Sequence, residues 1–415
     1  MATVDDVRAE RIPGRMRLAV AGDYLLSHLG FFTVSPVLAA VLTASPAPNA
    51  ELYVGIALFC FAFAMRGASL FLVSALRHLR YRTAMAAGLG VAAVAFLLLG
   101  LVTEPLPAIP LLLAAGCGIN MNGLMARVYI TDSLRAKSNR HRMFTLIQIT
   151  VNVSAAVGPF IGNLLLEVEP LYLFGVISVC YGFAALVTFG LVPGSLRPDA
   201  AAIRSPLRWT TIRSIAMHPR VRLTVGMAIL GGFLYAQLFS GISLHVIDTV
   251  DNSALRATVF AANAVLVVAV QIPVTALVAR WLDREVNPVS VMAIGIGLFC
   301  AAFAVMGLAG AWFAGLIAMI VVFSVGETFF TPTMDTAFTA FDNELSSMEL
   351  VNLRLISNTI GESTGSFIGV SVFLAAVGSG LGSLYWYGLG AIGAALALIL
   401  TARSRSAAAA SREAM

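Results

Sequence analysis

The chain predicts an all-α integral membrane fold, twelve transmembrane helices in two six-helix bundles related by a pseudo-two-fold axis along the membrane normal. Three observations lead there. Apolar residues fill 59% of the 415 positions and charged residues only 11%, with a mean hydropathy of +0.90, which a water-soluble surface could not carry. The apolar residues gather into twelve runs, each able to cross ~30 Å of hydrocarbon at ~1.5 Å per residue. Finally, Gly158-Pro159-Phe160-Ile161-Gly162 recurs as Gly365-Ser366-Phe367-Ile368-Gly369, an offset of 207 residues, half the chain. The same offset lays Arg77 on Arg284 and Asn120 on Glu327, as a tandem duplication requires.

The first run spans about 18–42. Its length and the acidic Asp23 inside it argue for a retained span over a signal peptide, although Ala44-Ser45-Pro46-Ala47 resembles a cleavage site. Further runs follow near 53–75, 84–102, 108–130, 143–165 and 171–192, then near 223–247, 257–280, 289–308, 311–331, 352–376 and 385–402. The expected division is an N-terminal bundle at 1–192, a linker at 193–222, a C-terminal bundle at 223–402 and a tail at 403–415. The linker is rich in Arg, Pro, Ser and Ala, and the tail is expected to be disordered.

Loop charge sets the orientation. Arg77, Arg80 and Arg82 follow span two, four cations from Arg135 to Arg142 follow span four, and Arg280 and Arg284 follow span eight. The alternate loops carry Glu51, Glu104, Glu167, Glu169 and Asp251, with Arg256 as their cation. By the positive-inside rule both termini are cytoplasmic. The net charge of +5 follows these loops and forms no nucleic-acid patch. Cys60, Cys117, Cys180 and Cys300 lie in apolar runs without metal-ligand spacing and are expected to be packing residues. The sequence has no Gly-rich phosphate loop with Lys and no ligand-spaced cluster, so neither an enzyme nor a cofactor or metal site is expected.

Six plus six spans, a parallel duplication, a central linker and basic loops after spans two and eight resemble the major facilitator superfamily over nearly the whole chain. Gly158-Pro159-x-x-Gly162 is similar to the Gly-Pro motif of its drug:proton antiporters, with Asn163 where a second glycine is usual. Asp23, Gly30-Phe31-Phe32, Pro36 and Val54-Gly55-Ile56-Ala57-Leu58 resemble MdtH-type multidrug exporters. The superfamily signature after span two uses an acid to latch the inward gate. Here Ser74 to Arg82 keeps the cations and lacks the acid, whereas the second copy, Trp281-Leu282-Asp283-Arg284, keeps an Asp-Arg pair. The resemblance makes Arg77, Arg80, Asp283, Arg284, Gly158, Pro159 and Gly162 gating candidates. It leaves Gln148 and Asn152 where such antiporters carry an acid in span five.

A charge at mid-bilayer costs at least ~2.5–3.5 kcal/mol, so each one needs a partner, a cavity or a function. Asp23 in span one and Arg66 in span two lie at similar depth, and two readings weigh equally: a static ion pair, or a switch in which protonated Asp23 releases Arg66 as its counter-ion. His28 is a weaker proton candidate, more often a packing residue. Glu362 shares a helical face with Gly365 and Gly369, so it faces protein or a cavity. It is either a coupling acid or a permanently protonated group at a helix contact. Glu327 is placed near the cytoplasmic end of span ten, where reaching the interface is its simplest role and proton coupling a third possibility. Asn120, Asn122, Gln148, Asn152, Tyr235, Gln237 and Gln271 either cement helices or line a midplane cavity, and Phe31 is a candidate for its apolar wall.

The leading expectation is a monomeric secondary transporter of the bacterial cytoplasmic membrane that exports an amphipathic or hydrophobic small molecule in exchange for protons. A carboxylate exposed to each side in turn can load and release a proton. A metabolite, siderophore or sugar permease, coupled or uncoupled, is the alternative within transport. A membrane sensor or scaffold is the alternative of another class, disfavoured by the short polar segments.

Overall fold

Proline and glycine set where the helices begin and break. The computed structural model describes residues 12–44, 50–68, 71, 78–102, 104–134, 137–197, 213, 218–284, 286–309, 312–339 and 347–413. In the first half these are α1 (Gly14–Val34), α2 (Leu38–Thr43), α3 (Ala50–Gly67), α4 (Tyr81–Leu99), α5 (Pro105–Ser133), α6 (Lys137–Leu165) and α7 (Pro170–Leu191). In the second half they are α8 (Pro219–Tyr235), a 3₁₀ turn (Ala236–Phe239), α9 (Gly241–Thr249), α10 (Ser253–Asp283), α11 (Pro288–Ala309), α12 (Phe313–Thr339), α13 (Ser347–Gly378) and α14 (Gly382–Glu413). Pro105, Pro170 and Pro219 open their helices, where a missing N–H costs nothing. Asn252 caps α10 by accepting from the Leu255 N–H at 3.1 Å.

Eleven segments among the described residues are long and apolar enough to cross a membrane, with α8 through α9 forming one of them. The α1–α2 segment, with Arg15, Arg17 and Asp23 in its first helix, occupies the place of the twelfth. Span one is broken at Ser35-Pro36-Val37, because Pro36 cannot donate to the preceding turn. Span seven is broken at the matching depth without a proline. Ser243 donates from its Oγ to the Pro36 carbonyl, a bond between positions 207 residues apart and therefore between repeat-mates.

The duplication also governs packing inside each half. A side chain at Gly88 would strike the Gly118 backbone between α4 and α5, and one at Gly295 would strike the Gly326 backbone between α11 and α12. Gly162 lies against the Thr33 carbonyl, and its repeat-mate Gly369 lies against Ser240. Backbone-to-backbone approach of this kind is the main source of helix affinity in lipid, where apolar burial gives little. Outward faces carry the lipid-facing apolar side chains, among them Ile272 (79% exposed) and Leu308 (78%).

Two expectations change. The tail from 403 is not irregular: α14 continues to Glu413, because Ala407–Ala410 are strong helix formers. Helix α12 runs to Thr339, so Glu327 sits mid-helix and not near a cytoplasmic end. Asp342 and Glu344, and most of the linker at 193–222, lie outside the described residues.

Candidate functional site

Spans two and eleven meet along α3 and α13, and an ion pair between the last turn of α3 and the middle of α13 joins the two halves of the molecule. Arg66 Nη2 contacts Glu362 Oε2, with side chains 27% and 9% exposed. The expected Asp23–Arg66 pair is therefore corrected: Arg66 leaves α3 on the face toward α13, whereas Asp23 leaves α1 toward α5. Asn358 Nδ2 donates to Glu362 Oε1 at 2.7 Å, and the Ser366 hydroxyl donates to the Glu362 carbonyl at 2.8 Å. Arg354, Asn358, Glu362 and Ser366 thus form a stripe at spacings of four on one face of α13. Sequence reading missed Arg354, Asn358 and Ser366; that spacing from Glu362 was the available signal.

The pair borders a cavity whose other walls include Phe31, Leu38, Leu58, Phe61, Met65 and Phe239. It offers about 50 Å³ to the centres of water-sized molecules, which holds a few waters but no sizeable substrate. A second recess lies between Phe32, Pro36 and Pro159 of the first half and Phe239, Phe260 and Asn263 of the second.

Two further acids are held within single halves. Asp23 is fully buried; its Oδ1 accepts from Asn122 Nδ2 at 3.0 Å, and its Oδ2 has no protein partner. His28 stacks on Tyr24 with ring centroids 5.1 Å apart. Glu327 accepts from the Tyr235 hydroxyl at 3.3 Å and from Asn263 Nδ2 at 3.1 Å, and Asn263 also donates to Ser324 at 3.0 Å.

Of the expected cavity residues, Phe31 lines the wall beside the ion pair. Asn120 instead donates to the Met65 carbonyl at 3.0 Å, fixing α5 to α3 one residue before Arg66. Asn122 serves Asp23, and Tyr235 serves Glu327. Gln237 is fully buried among spans seven, eleven and twelve, donating to the Gly365 carbonyl at 3.0 Å and accepting from the Tyr385 hydroxyl at 2.8 Å. Gln148 and Asn152 bond each other at 3.4 Å, and Gln271 bonds Thr275 at 3.0 Å; these three line neither recess. A polar amide in a span is as often helix cement as cavity lining, so residue type alone could not separate them.

The gating candidates divide by depth. Gly158 packs against the Phe32 backbone and Gly162 against Thr33, while Pro159 reaches the second recess. Arg80 precedes α4 and is exposed, Asp283 closes α10, and Arg284 follows it, exposed. Arg77 lies outside the described residues. At the end of the molecule away from the termini, the halves are joined by Ser371 to the Glu51 carbonyl at 3.1 Å, by Ser243 to Pro36, and by Arg256 to Glu167 at 2.9 Å and to Asn163 at 3.2 Å. These bonds hold the halves together at that end.

This arrangement can be set beside known proteins. The chain is 26% identical to an uncharacterized MFS-type transporter, YttB of Bacillus subtilis (strain 168), over 196 residues, 47% of this chain and 48% of that one; the alignment thus spans about half the length of the curated relative. An auto-inhibited POT family peptide transporter superposes with a TM-score of 0.72 at 16% identity, covering 94% of this chain and 97% of the other. The nucleoside transporter NupG superposes with a TM-score of 0.73 at 14% identity, covering 94% and 98%. At these identities the two structures establish the fold. The sequence model of the Major Facilitator Superfamily matches residues 23–383. The chain belongs to the Major Facilitator Superfamily.

Proposed function

We propose that this transporter exports amphipathic or hydrophobic small molecules in exchange for protons, from a cytoplasm that holds both termini. The observation that carries the reading is the Arg66–Glu362 pair, which spans the two halves at the edge of an apolar, aromatic cavity. A proton arriving on Glu362 removes the charge that holds Arg66, and the contact between spans two and eleven weakens. Substrate entering between Phe31, Phe61 and Phe239 meets the same contact. One event at one place therefore links cargo to proton, as alternating access requires.

Asp23 is the second coupling acid, since its unpartnered Oδ2 sits in an apolar interior where an uncompensated charge costs several kcal/mol. Glu327 is the third, held between Tyr235 and Asn263. The bonds that join the halves away from the termini favour loading from the terminal side, which under this orientation is the cytoplasm.

A second reading, a permease for a polar metabolite, is favoured by one feature: the cavity edge presents both a guanidinium and a carboxylate, which suit a dipolar cargo. Proteoliposomes with an imposed pH gradient separate the two. Uptake of a fluorescent amphiphile driven by an acidic lumen, abolished by a protonophore and by Glu362→Gln, is the expected result. Transport insensitive to both would remove the proton-coupled reading.

A further inference from the structure

Arg256 is the sole cation of the acidic loops on its side, yet it is only 6% exposed. The first residues of α10 carry it under the end of α6, where its guanidinium meets four acceptors. Nε donates to Asn163 Oδ1 at 3.2 Å, Nη2 to Glu167 Oε1 at 2.9 Å, and Nη1 to the carbonyls of Val250 at 3.1 Å and Asp251 at 3.0 Å. Two acceptors belong to the first half and two to the second, so the cation bridges them.

Asn163 is fully buried, and it stands where the resembling Gly-Pro motif carries a glycine. Its Nδ2 donates to the Pro159 carbonyl at 2.9 Å. That bond turns Oδ1 toward Arg256, so the Pro159 turn of α6 and the cation on α10 are tied by one amide. Glu167, with its side chain 52% exposed, supplies the opposing charge from the solvent side. A solvent-exposed ion pair is weak, whereas buried bonds to a charged donor are strong.

We propose that Asn163 and Arg256 form the lock of the gate away from the termini, Asn163 acting as the positioning residue and Glu167 as an auxiliary charge. Each time this gate opens, Arg256 must leave Asn163 and Glu167 while keeping its two carbonyl partners on its own half. A glycine at 163 leaves the guanidinium one buried acceptor short when the gate is closed, which shifts the balance toward the open arrangement.

The test needs neither substrate nor proton gradient, so its failure is distinct from failure of the coupling reading. Nitroxide labels on Val168→Cys and Leu255→Cys, both exposed positions beside the lock, report the separation of the halves by double electron–electron resonance in nanodiscs, with the four native cysteines replaced. Asn163→Gly and Arg256→Lys are expected to raise the ratio of long to short distances by about tenfold, the shift that losing one charge-assisted hydrogen bond supports. Glu167→Gln is expected to give a smaller rise. Asn163→Asp, which keeps an acceptor for Arg256, is expected to hold the short distance. Should Asn163→Gly fail to give monodisperse protein, Arg256→Lys carries the test. Folded Arg256→Lys with an unchanged distance distribution overturns the lock, as does Asn163→Asp opening as far as Asn163→Gly, which would mark packing and not bonding as the cause.

Discussion

Replacing Arg66 and Glu362 singly and together tests whether the pair between the halves is a working contact. Methionine suits both positions, since it keeps an unbranched stem and fills space without charge. Arg66→Met leaves the Glu362 carboxylate, with its side chain 9% exposed, to the Asn358 hydrogen bond and the more distant charge of Arg354. Glu362→Met leaves a guanidinium at the cavity edge whose side chain is 27% exposed. Breaking a fully buried pair from one side costs about 3–5 kcal/mol. The partial exposure of Arg66 screens part of that, so each single variant should lose about 2–3 kcal/mol. The double variant leaves no orphaned charge and should lie within about 1 kcal/mol of the native protein, giving a coupling energy of about 2–3 kcal/mol. Reversible denaturation in mixed micelles, followed by the fluorescence of the four tryptophans, measures the cycle. The same double variant in proteoliposomes should equilibrate substrate without concentrating it. Additivity within about 0.5 kcal/mol would show that the two charges do not sense each other, and the coupling role would fall with it.

Asp23→Asn preserves an acceptor for Asn122 and should fold normally while transport loses its dependence on the proton gradient; retained dependence in uptake assays would remove Asp23 from the coupling set. Asn122→Ala strips Asp23 of its side-chain hydrogen bond and should cost about 1–3 kcal/mol in the same micelle titration. Gly162→Ala and Gly369→Ala contrast informatively. The first drives a methyl into the Thr33 carbonyl, which cannot move alone, and should cost about 1–3 kcal/mol and depress transport. The second meets the Ser240 hydroxyl and the Gln237 amide, which can turn, and the Ser240 Cβ, which needs a small backbone shift, so its penalty should be smaller but not absent. Tyr235→Phe removes one donor to Glu327 while Asn263 keeps the other, so a loss of about 1 kcal/mol or less is expected in thermal melts.

The spans were legible because lipid imposes length and hydropathy on every helix, and the break at Pro36 was legible in principle because proline cannot donate. The break in span seven carried no such residue. It could have been found by carrying Pro36 forward by the repeat offset to Ser243. The ion pair between halves was not legible: a sequence places Arg66 and Asp23 at one depth but does not say which way either helix is turned. Glu362 was assigned a protein-facing surface from Gly365 and Gly369, and those glycines do pack on span seven, against the Phe233 carbonyl and Ser240. The α13 face also turns Glu362 toward span two, a relation held only in three dimensions. Gln237 and Phe31 show the same limit from the other side. Both are span residues of suitable type, and only neighbouring helices decide that one is cement and the other wall.

The duplicated frame and the unduplicated chemistry divide the labour of movement. Within each half, contacts such as Gly162 to Thr33 and Gly88 to Gly118 are glycine against backbone, with nothing that can be exchanged for another partner. They recur in the second half at Gly365, against the Phe233 carbonyl, and at Gly295, against Gly326, so each half is built to move as a unit. Between halves, polar joints among the described residues include single side-chain bonds: Arg66 to Glu362, Arg256 to Asn163 and Glu167, Ser371 to Glu51, Ser243 to Pro36. Each can be given up to water or to a substrate at a cost of only a few kcal/mol. Advancing by the offset replaces Asp23 with Leu230 and Arg66 with Pro273, and stepping back from Glu362 reaches Ala155. Each of these three charges therefore sits on one copy of its symmetric position. A fully symmetric set would hold the two openings equally; under the proposed reading, the lopsided set lets a proton on Glu362 act on the Arg66 contact without disturbing the Arg256 bridge.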